Sequence, residues 1–260
     1  MPNDSGGEKP RRRASDRGKY GHLSRARVLA SALEVVDRDG LSGLSMRKLG
    51  AELGVEAMAL YRYAPNKDAL LDGLVEAFDQ ELEDTLTADA GNAADAAAWQ
   101  EELHRRAHAT YEVAMRHPNV VPLLATRLLS TPLARRPAAV LRSDERVLAL
   151  LDDARIAEPT AVSLHRAFTA WLLGYLLVEL RAMVDAPEET DPGFRLGLHR
   201  MSVQEFPRLR ATAPSLAGRG GPEGLASGLE ALLERFSGSA PASMNRIRSE
   251  PGGSPRSAGG

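Results

Sequence analysis

The apolar residues of this chain recur three and four positions apart from Val28 to Phe236, and no stretch alternates apolar with polar residues for long enough to make a strand. A 3.6-residue period turns one face of a helix toward a core, whereas a half-buried strand needs a period of two. The pattern predicts an all-α fold. Composition agrees where it bears on the core: 43% of the residues are hydrophobic but only 5% are aromatic, so the interior is built from Leu, Val and Ala. That mix suits helices better than a sandwich of β-branched and aromatic strands. With no cysteine, a disulfide scaffold, a thiolate zinc site and a cysteine nucleophile are excluded.

Capping residues and breakers divide the pattern. Ser24 is positioned to cap a first helix carrying Val28, Leu29, Ala32, Leu33, Val35 and Val36, stopped by Gly40. Ser45 caps a second with Met46, Leu49 and Leu53 on one face, ended by Gly54. A short third segment covers Val55 to Tyr63, closed by Pro65, and Asn66 caps a fourth with Leu70, Leu71, Leu74, Val75 and Phe78. Further helical windows cover 96–116, 121–130, 137–152, 160–184 and 223–236, with at most one helix in 186–222, near 194–206. Both ends, rich in Gly, Ser, Pro and charge, are expected to be disordered. The expected organisation is a basic arm at 1–19, a helix-turn-helix domain at 20–66, a larger helical domain at 67–237 and a tail at 238–260. No secretory signal opens the chain, and the apolar run from Ala167 to Val178 falls short of the ~20 residues a bilayer span needs, so the expectation is a cytoplasmic protein with no membrane partner.

Charge is unevenly spread. The whole chain is at −2, but residues 1–70 hold 13 Lys/Arg against 9 Asp/Glu, leaving +4 there and −6 in the rest. Eight of those 13 cations lie between Lys9 and Arg27. A basic arm leading into helix, tight turn and helix suits DNA phosphates, and an acidic body would face away from them. Small Ala51 and Gly54 would let the two helices approach, with Val55 and Leu60 pinning the third helix to the second. The same elements could instead be an ordinary helical hairpin in a core.

Three blocks carry a more specific signal: Gly43-Leu44-Ser45-Met46-Arg47-Lys48-Leu49-Gly50-Ala51-Glu52-Leu53-Gly54-Val55, then Ala59-Leu60-Tyr61-Arg62-Tyr63, then Asn66-Lys67-Asp68-Ala69-Leu70-Leu71-Asp72. Over about 24–80 the chain closely resembles the DNA-binding domain of the tetracycline repressor (TetR) family. The remainder resembles that branch's C-terminal domain weakly, through Trp99-Gln100, Ala125-Thr126-Arg127 and the apolar helix around Gly174. The resemblance implies an all-α homodimer: an N-terminal three-helix helix-turn-helix domain plus a larger helical ligand-binding and dimerisation domain. It would bind double-stranded palindromic operator DNA and leave it when a small-molecule effector binds.

Residue by residue, the resemblance places Arg47 within reach of a guanine edge, where a bidentate contact is worth about 1–3 kcal/mol of discrimination; the other reading is a phosphate or solvent contact. Ala57, Met58 and Ala59 open the recognition helix and would touch thymine methyls. Tyr61 and Lys67 match phosphate-contacting positions. Ser45, Lys48 and Arg62 are further DNA candidates, and Tyr63 is either a DNA contact or a core residue. In the body, Arg106, Thr110, Leu123, Thr126, Trp171 and Tyr175 are the expected ligand-binding residues. The tetracycline–magnesium site is not carried over. Leu123 stands where that branch has a magnesium-binding histidine, and Glu83 stands where it has another histidine, so no metal and no cofactor is expected. His104 and His108 share a helix face, but two histidines fall short of the four ligands of structural zinc. The stripe Trp99, Leu103, Ala107 and Tyr111 reads as core or as pocket wall. The helix at 160–184 and the last helix are expected to pack with their symmetry mates. The rival reading is an all-α enzyme or binding protein with the helix-turn-helix as scaffold. Against it, there is no Gly-rich phosphate loop, no HExxH and no GxSxG, so the expectation is that the chain is not an enzyme.

Overall fold

The computed structural model describes residues 23–90, 99–185, 197 and 200–237. The expected basic arm at 1–19 and the tail at 238–260 lie outside them. The described residues form ten α-helices and no strand: α1 Arg25–Gly43, α2 Met46–Leu53, α3 Ala57–Leu60, α4 Lys67–Ala90, α5 Trp99–Arg116, α6 Val121–Ser130, α7 Ala138–Asp153, α8 Glu158–Asp185, α9 Pro207–Ala217 and α10 Gly221–Ser237. Short 3-10 turns at Pro118–Val120 and Leu133–Arg135 precede α6 and α7.

The caps act where the sequence puts them. Ser24 Oγ accepts from the Arg27 N–H at 3.2 Å, Ser45 Oγ from Lys48 N–H at 3.2 Å, and Asn66 Oδ1 from Ala69 N–H at 2.7 Å. Each satisfies an N–H that the first helical turn leaves unpaired. Gly40, at φ +72°, breaks α1 as expected, but a further turn runs on to Gly43. The third helix is shorter than the expected 55–63. Only Ala57–Leu60 is helical, and the chain then turns through Tyr63, whose N–H bonds to the Leu60 carbonyl at 2.8 Å.

The expected helix near 194–206 lies partly outside the described residues; its described part, 197 and 200–206, forms turns, and a helix follows at Pro207–Ala217. A proline at the first helical position loses nothing, since that N–H has no intrahelical partner. Read only as breakers, Pro207 and Pro214 hide the helix.

Packing joins the layers. Helix α1 lies on α4 where Gly73 admits Leu29: a Cβ at Gly73 would sit 2.4 Å from Leu29 Cδ2. Beyond that contact α4 continues against α5, α6 and α7, while α8 packs on α6, α7 and α10, and α10 on α5. The stretch Glu158–Leu180 of α8 is long and apolar enough to cross a membrane by length and composition alone, a longer stretch than the run from Ala167 to Val178 conveys. Here its Leu164, Phe168, Leu172, Leu176 and Leu180 are buried among neighbouring helices.

Candidate nucleic-acid interface and interior cavity

The helix-turn-helix surface is fixed by two glycines with different tasks. Gly54 caps α2 in the left-handed region (φ +66°), and its N–H bonds back to the Ala51 carbonyl at 3.2 Å. Gly50 makes the close approach: a Cβ there would lie 2.8 Å from the Val55 carbonyl oxygen and 3.2 Å from the Ala57 nitrogen. The expectation that Ala51 provides the close approach is corrected. Ala51 is exposed, and the approach falls one residue earlier. Leu49 and Leu60 are fully buried beneath this turn.

Above that base, Arg47, Met58, Tyr61, Arg62 and Lys67 are exposed, Met58 at 76%. Among the described residues Arg47 and Lys67 have no ion pair. Ala57 and Ala59 are half-buried beside them. Two expected contacts, Lys48 and Tyr63, have partners elsewhere, and a third, Ser45, is engaged only as an acceptor. Lys48 Nζ pairs with Asp39 Oδ2 at 2.9 Å, which holds that carboxyl below its ordinary value. Tyr63 hydroxyl donates to the Leu23 carbonyl at 2.6 Å, and its ring packs on the core, with the Arg62 guanidinium 6.0 Å from the ring centre. Ser45 Oγ accepts the capping bond, and its O–H is left free to donate.

A polar joint connects this region to the body. His117, in the turn after α5, places Nδ1 2.7 Å from Asp37 Oδ2 and Nε2 2.8 Å from Glu81 Oε2. A ring between two carboxylates is favoured in its doubly protonated form, in which both nitrogens donate. The Asp37 hydrogen bond leads in raising the His117 pKa, against the opposing effect of burial. Burial pushes Glu81 up, but hydrogen bonds from Arg116 and His117 outweigh it and hold the carboxyl below its ordinary value. Asn119 Nδ2 donates to the Val36 and Asp37 carbonyls, both at 3.1 Å. From α6, Arg127 forks onto Asp68 at 2.7 Å and Asp72 at 3.1 Å, in the first turns of α4.

Inside the body, α4, α5, α6, α7 and α8 surround a cavity of about 110 Å³. Its apolar walls include Val75, Phe78, Leu124 and Phe168, and its polar side brings together Asp79, Arg106, Thr110, Ser143, Asp144 and His165. Of the six expected ligand-binding residues, Arg106 and Thr110 line it and four do not. Leu123 is buried in the core one position before the lining Leu124, turned away by the helical rotation. Thr126 Oγ1 bonds back to the Pro122 and Leu123 carbonyls at 3.0 Å. Trp171 and Tyr175 face α10: a Cβ at Gly228 would touch the Trp171 ring at 2.9 Å, and Tyr175 hydroxyl donates to the Gly221 carbonyl at 2.6 Å. Helix α8 buries two faces: Phe168 lies on the one toward the cavity, and Trp171 and Tyr175 lie on the one toward α10.

Asp79, Ser143, Asp144 and His165 also line the cavity and are not among the expected residues. Asp79 carried a readable signal, since it stands four after Val75 and three before Leu82, inside an apolar stripe. His104 and His108 lie instead in a separate groove of about 360 Å³ between α5 and α10, where His108 Nδ1 is 3.5 Å from Glu112. Among the described residues, no group of three or more His, Asp or Glu is placed to hold a metal ion.

Comparison with known proteins gives this geometry a family context. The family model for bacterial regulatory proteins, tetR family, matches residues 28–74, and that for the tetracyclin repressor-like C-terminal domain matches residues 92–235. The HTH-type transcriptional repressor DrrR1 of Streptomyces coeruleorubidus is 32% identical over 162 residues, covering 62% of this chain and 56% of that protein. The chain thus spans little more than half of that relative. The Escherichia coli tetracycline repressor protein class D is 46% identical over 52 residues, 20% of this chain and 24% of that one. The crystal structure of a possible TetR family transcriptional regulator from Streptomyces coelicolor A3(2) superposes with a TM-score of 0.68 at 25% identity, covering 83% of this chain and 99% of that one.

Proposed function

Because the chain belongs to the tetR family of bacterial regulatory proteins, we propose that it is a cytoplasmic, homodimeric DNA-binding repressor that a small molecule releases from a palindromic operator. The observation that carries this reading is the span of α4. One uninterrupted helix begins at Lys67, beside the exposed Tyr61 and Arg62, and further along walls the cavity with Val75, Phe78 and Asp79. Arg47 reads a base edge, Met58 meets thymine methyls, and Tyr61, Arg62, Lys67 and the Ser45 hydroxyl hold phosphates. Phosphate contacts set register and salt dependence without reading sequence.

Release follows from shared parts. A ligand between α6 and α4 presses on Leu124 and Phe78, and the Arg127 fork passes any displacement of α6 to the start of α4. Helices α8 and α10 supply the dimer face, in keeping with Val178 at 79% exposure and the exposed Gly174. A two-fold pair would space its reading heads one duplex turn apart, about 34–36 Å. In this reading the chain has no catalytic role, and the division at 66/67 is one of function rather than packing.

Footprinting on the DNA upstream of the chain's own coding region tests the proposal. The expected result is a protected palindrome whose occupancy falls steeply with salt. Uniform binding across random duplexes overturns it.

A further inference from the structure

We propose that the cavity takes a small amphipathic amine, its ammonium donating to Asp79 and its apolar body, about the size of one aromatic ring, held against Phe78 and Phe168. This rests on the ligand-release reading above and adds the chemical class of the ligand. Asp79 is 8% exposed, and its Oδ2 is buried and has no hydrogen-bond partner. A buried carboxylate oxygen left without a donor costs about 1–3 kcal/mol, more when charged, so such an atom in a cavity wall marks a place for a donor.

The surrounding charges decide the sign of the ligand. Every guanidinium nearby is already engaged. Arg106 Nη1 donates to Ser143 Oγ at 2.8 Å and Nη2 to Glu83 at 3.3 Å. Arg146 pairs with Glu83, and Arg136 with Asp144 at 3.4 Å. Asp144 also holds His165 Nε2 at 3.2 Å. Among these groups Asp79 Oδ2 is the buried side-chain oxygen left without a partner, and each cation already has a carboxylate or hydroxyl partner. An anionic ligand would face Asp79 and Asp144 with only committed guanidiniums to meet it. Burial leads in pushing the Asp79 carboxyl up, against the attraction of Arg106, and an ammonium seated on Oδ2 would offset that effect. Volume limits the body: a dry cavity of roughly 150 Å³ accepts benzene, so about 110 Å³ holds a single ring only with slight movement of its walls.

The test uses the full chain and three probes of one shape: phenethylamine, 2-phenylethanol and phenylacetate, with binding followed by calorimetry or ligand-observed NMR. The amine is expected to bind about tenfold or more tightly than the alcohol, and the acid most weakly. Asp79→Asn should lower amine affinity about tenfold and leave the alcohol within about twofold. Asp144→Asn should keep the amine preference. Equal affinity of wild type for amine and alcohol, or an amine preference that survives Asp79→Asn, overturns the assignment. Preference for the acid overturns it in favour of Arg106. Should Asp79→Asn not fold, the wild-type ratio alone decides. Binding of none of the probes overturns the cavity as a ligand site. Amine selectivity with operator binding unchanged upholds Asp79 and breaks the release reading instead.

Discussion

The exposed surface from Ser45 to Lys67 is assembled from neighbours in sequence, whereas the cavity draws one or more side chains from each of five helices between Val75 and Leu173. In the first region, two caps and two glycines set the shape, and the residues proposed to function stand outward on it. In the second, shape comes from long-range packing, and the polar residues face inward. The difference teaches where each region is vulnerable. A single backbone clash spoils the first outright. A single substitution in the second changes what the cavity holds before it changes the fold.

The sharpest way to break that comparison is Gly50→Val. Its side chain would meet the Val55 carbonyl and the Ala57 backbone, neither of which is free to swing aside. The expected cost is about 3 kcal/mol, with specific DNA binding lost and helicity of the body kept. Calorimetric melting with a DNA-shift assay checks it, and unchanged DNA binding would mean the α2–α3 geometry is not what matters. Next in size, Arg47→Ala is expected to weaken the cognate site by about 1–3 kcal/mol and random DNA less, while Lys67→Ala weakens both alike. Equal losses in a competition titration would remove Arg47 as a base reader.

The joint between the regions gives a pH test. His117 is raised above its ordinary 6.5 by Asp37 and Glu81. The stability it adds is whole below pH 6.5 and is lost as pH rises through the raised folded value. Glu81 is lowered from 4.5, so its share is present above pH 4.5 and lost as pH falls through the lowered value. Wild type should therefore lose stability on the alkaline side. His117→Gln should be weaker by about 1 kcal/mol near pH 6, discounted for partial exposure, with a flatter alkaline profile. Denaturant unfolding across pH measures both, and parallel curves would contradict the doubly protonated ring. The smallest effect is at Tyr63. Tyr63→Phe loses the bond to Leu23 and about 0.5–1.5 kcal/mol of stability. If unfolding is unchanged and DNA affinity falls, its hydroxyl belongs to the interface.

The same contrast explains what could be read from the chain. Ser24, Ser45, Asn66 and Gly54 announce helix ends through local chemistry, and each does in the structure what its type predicts. The cavity was half legible: Arg106 and Thr110 line it, while Trp171 and Tyr175 serve the α8–α10 contact. Helix α8 is apolar nearly all round, so its pattern does not say which buried face looks at a cavity. Asp144 and His165 come together across 21 positions, a distance that no local period encodes. The helix at Pro207 was hidden by a residue that both breaks and starts helices.

Helix α4 has 24 residues and so measures about 36 Å, with no hinge residue between Lys67 and Asp79 other than Gly73, which is clamped by Leu29. The molecule therefore works as a shaft with a fixed phase. Inserting one residue near Glu76 would rotate Phe78 and Asp79 by about 100° about the axis relative to Lys67.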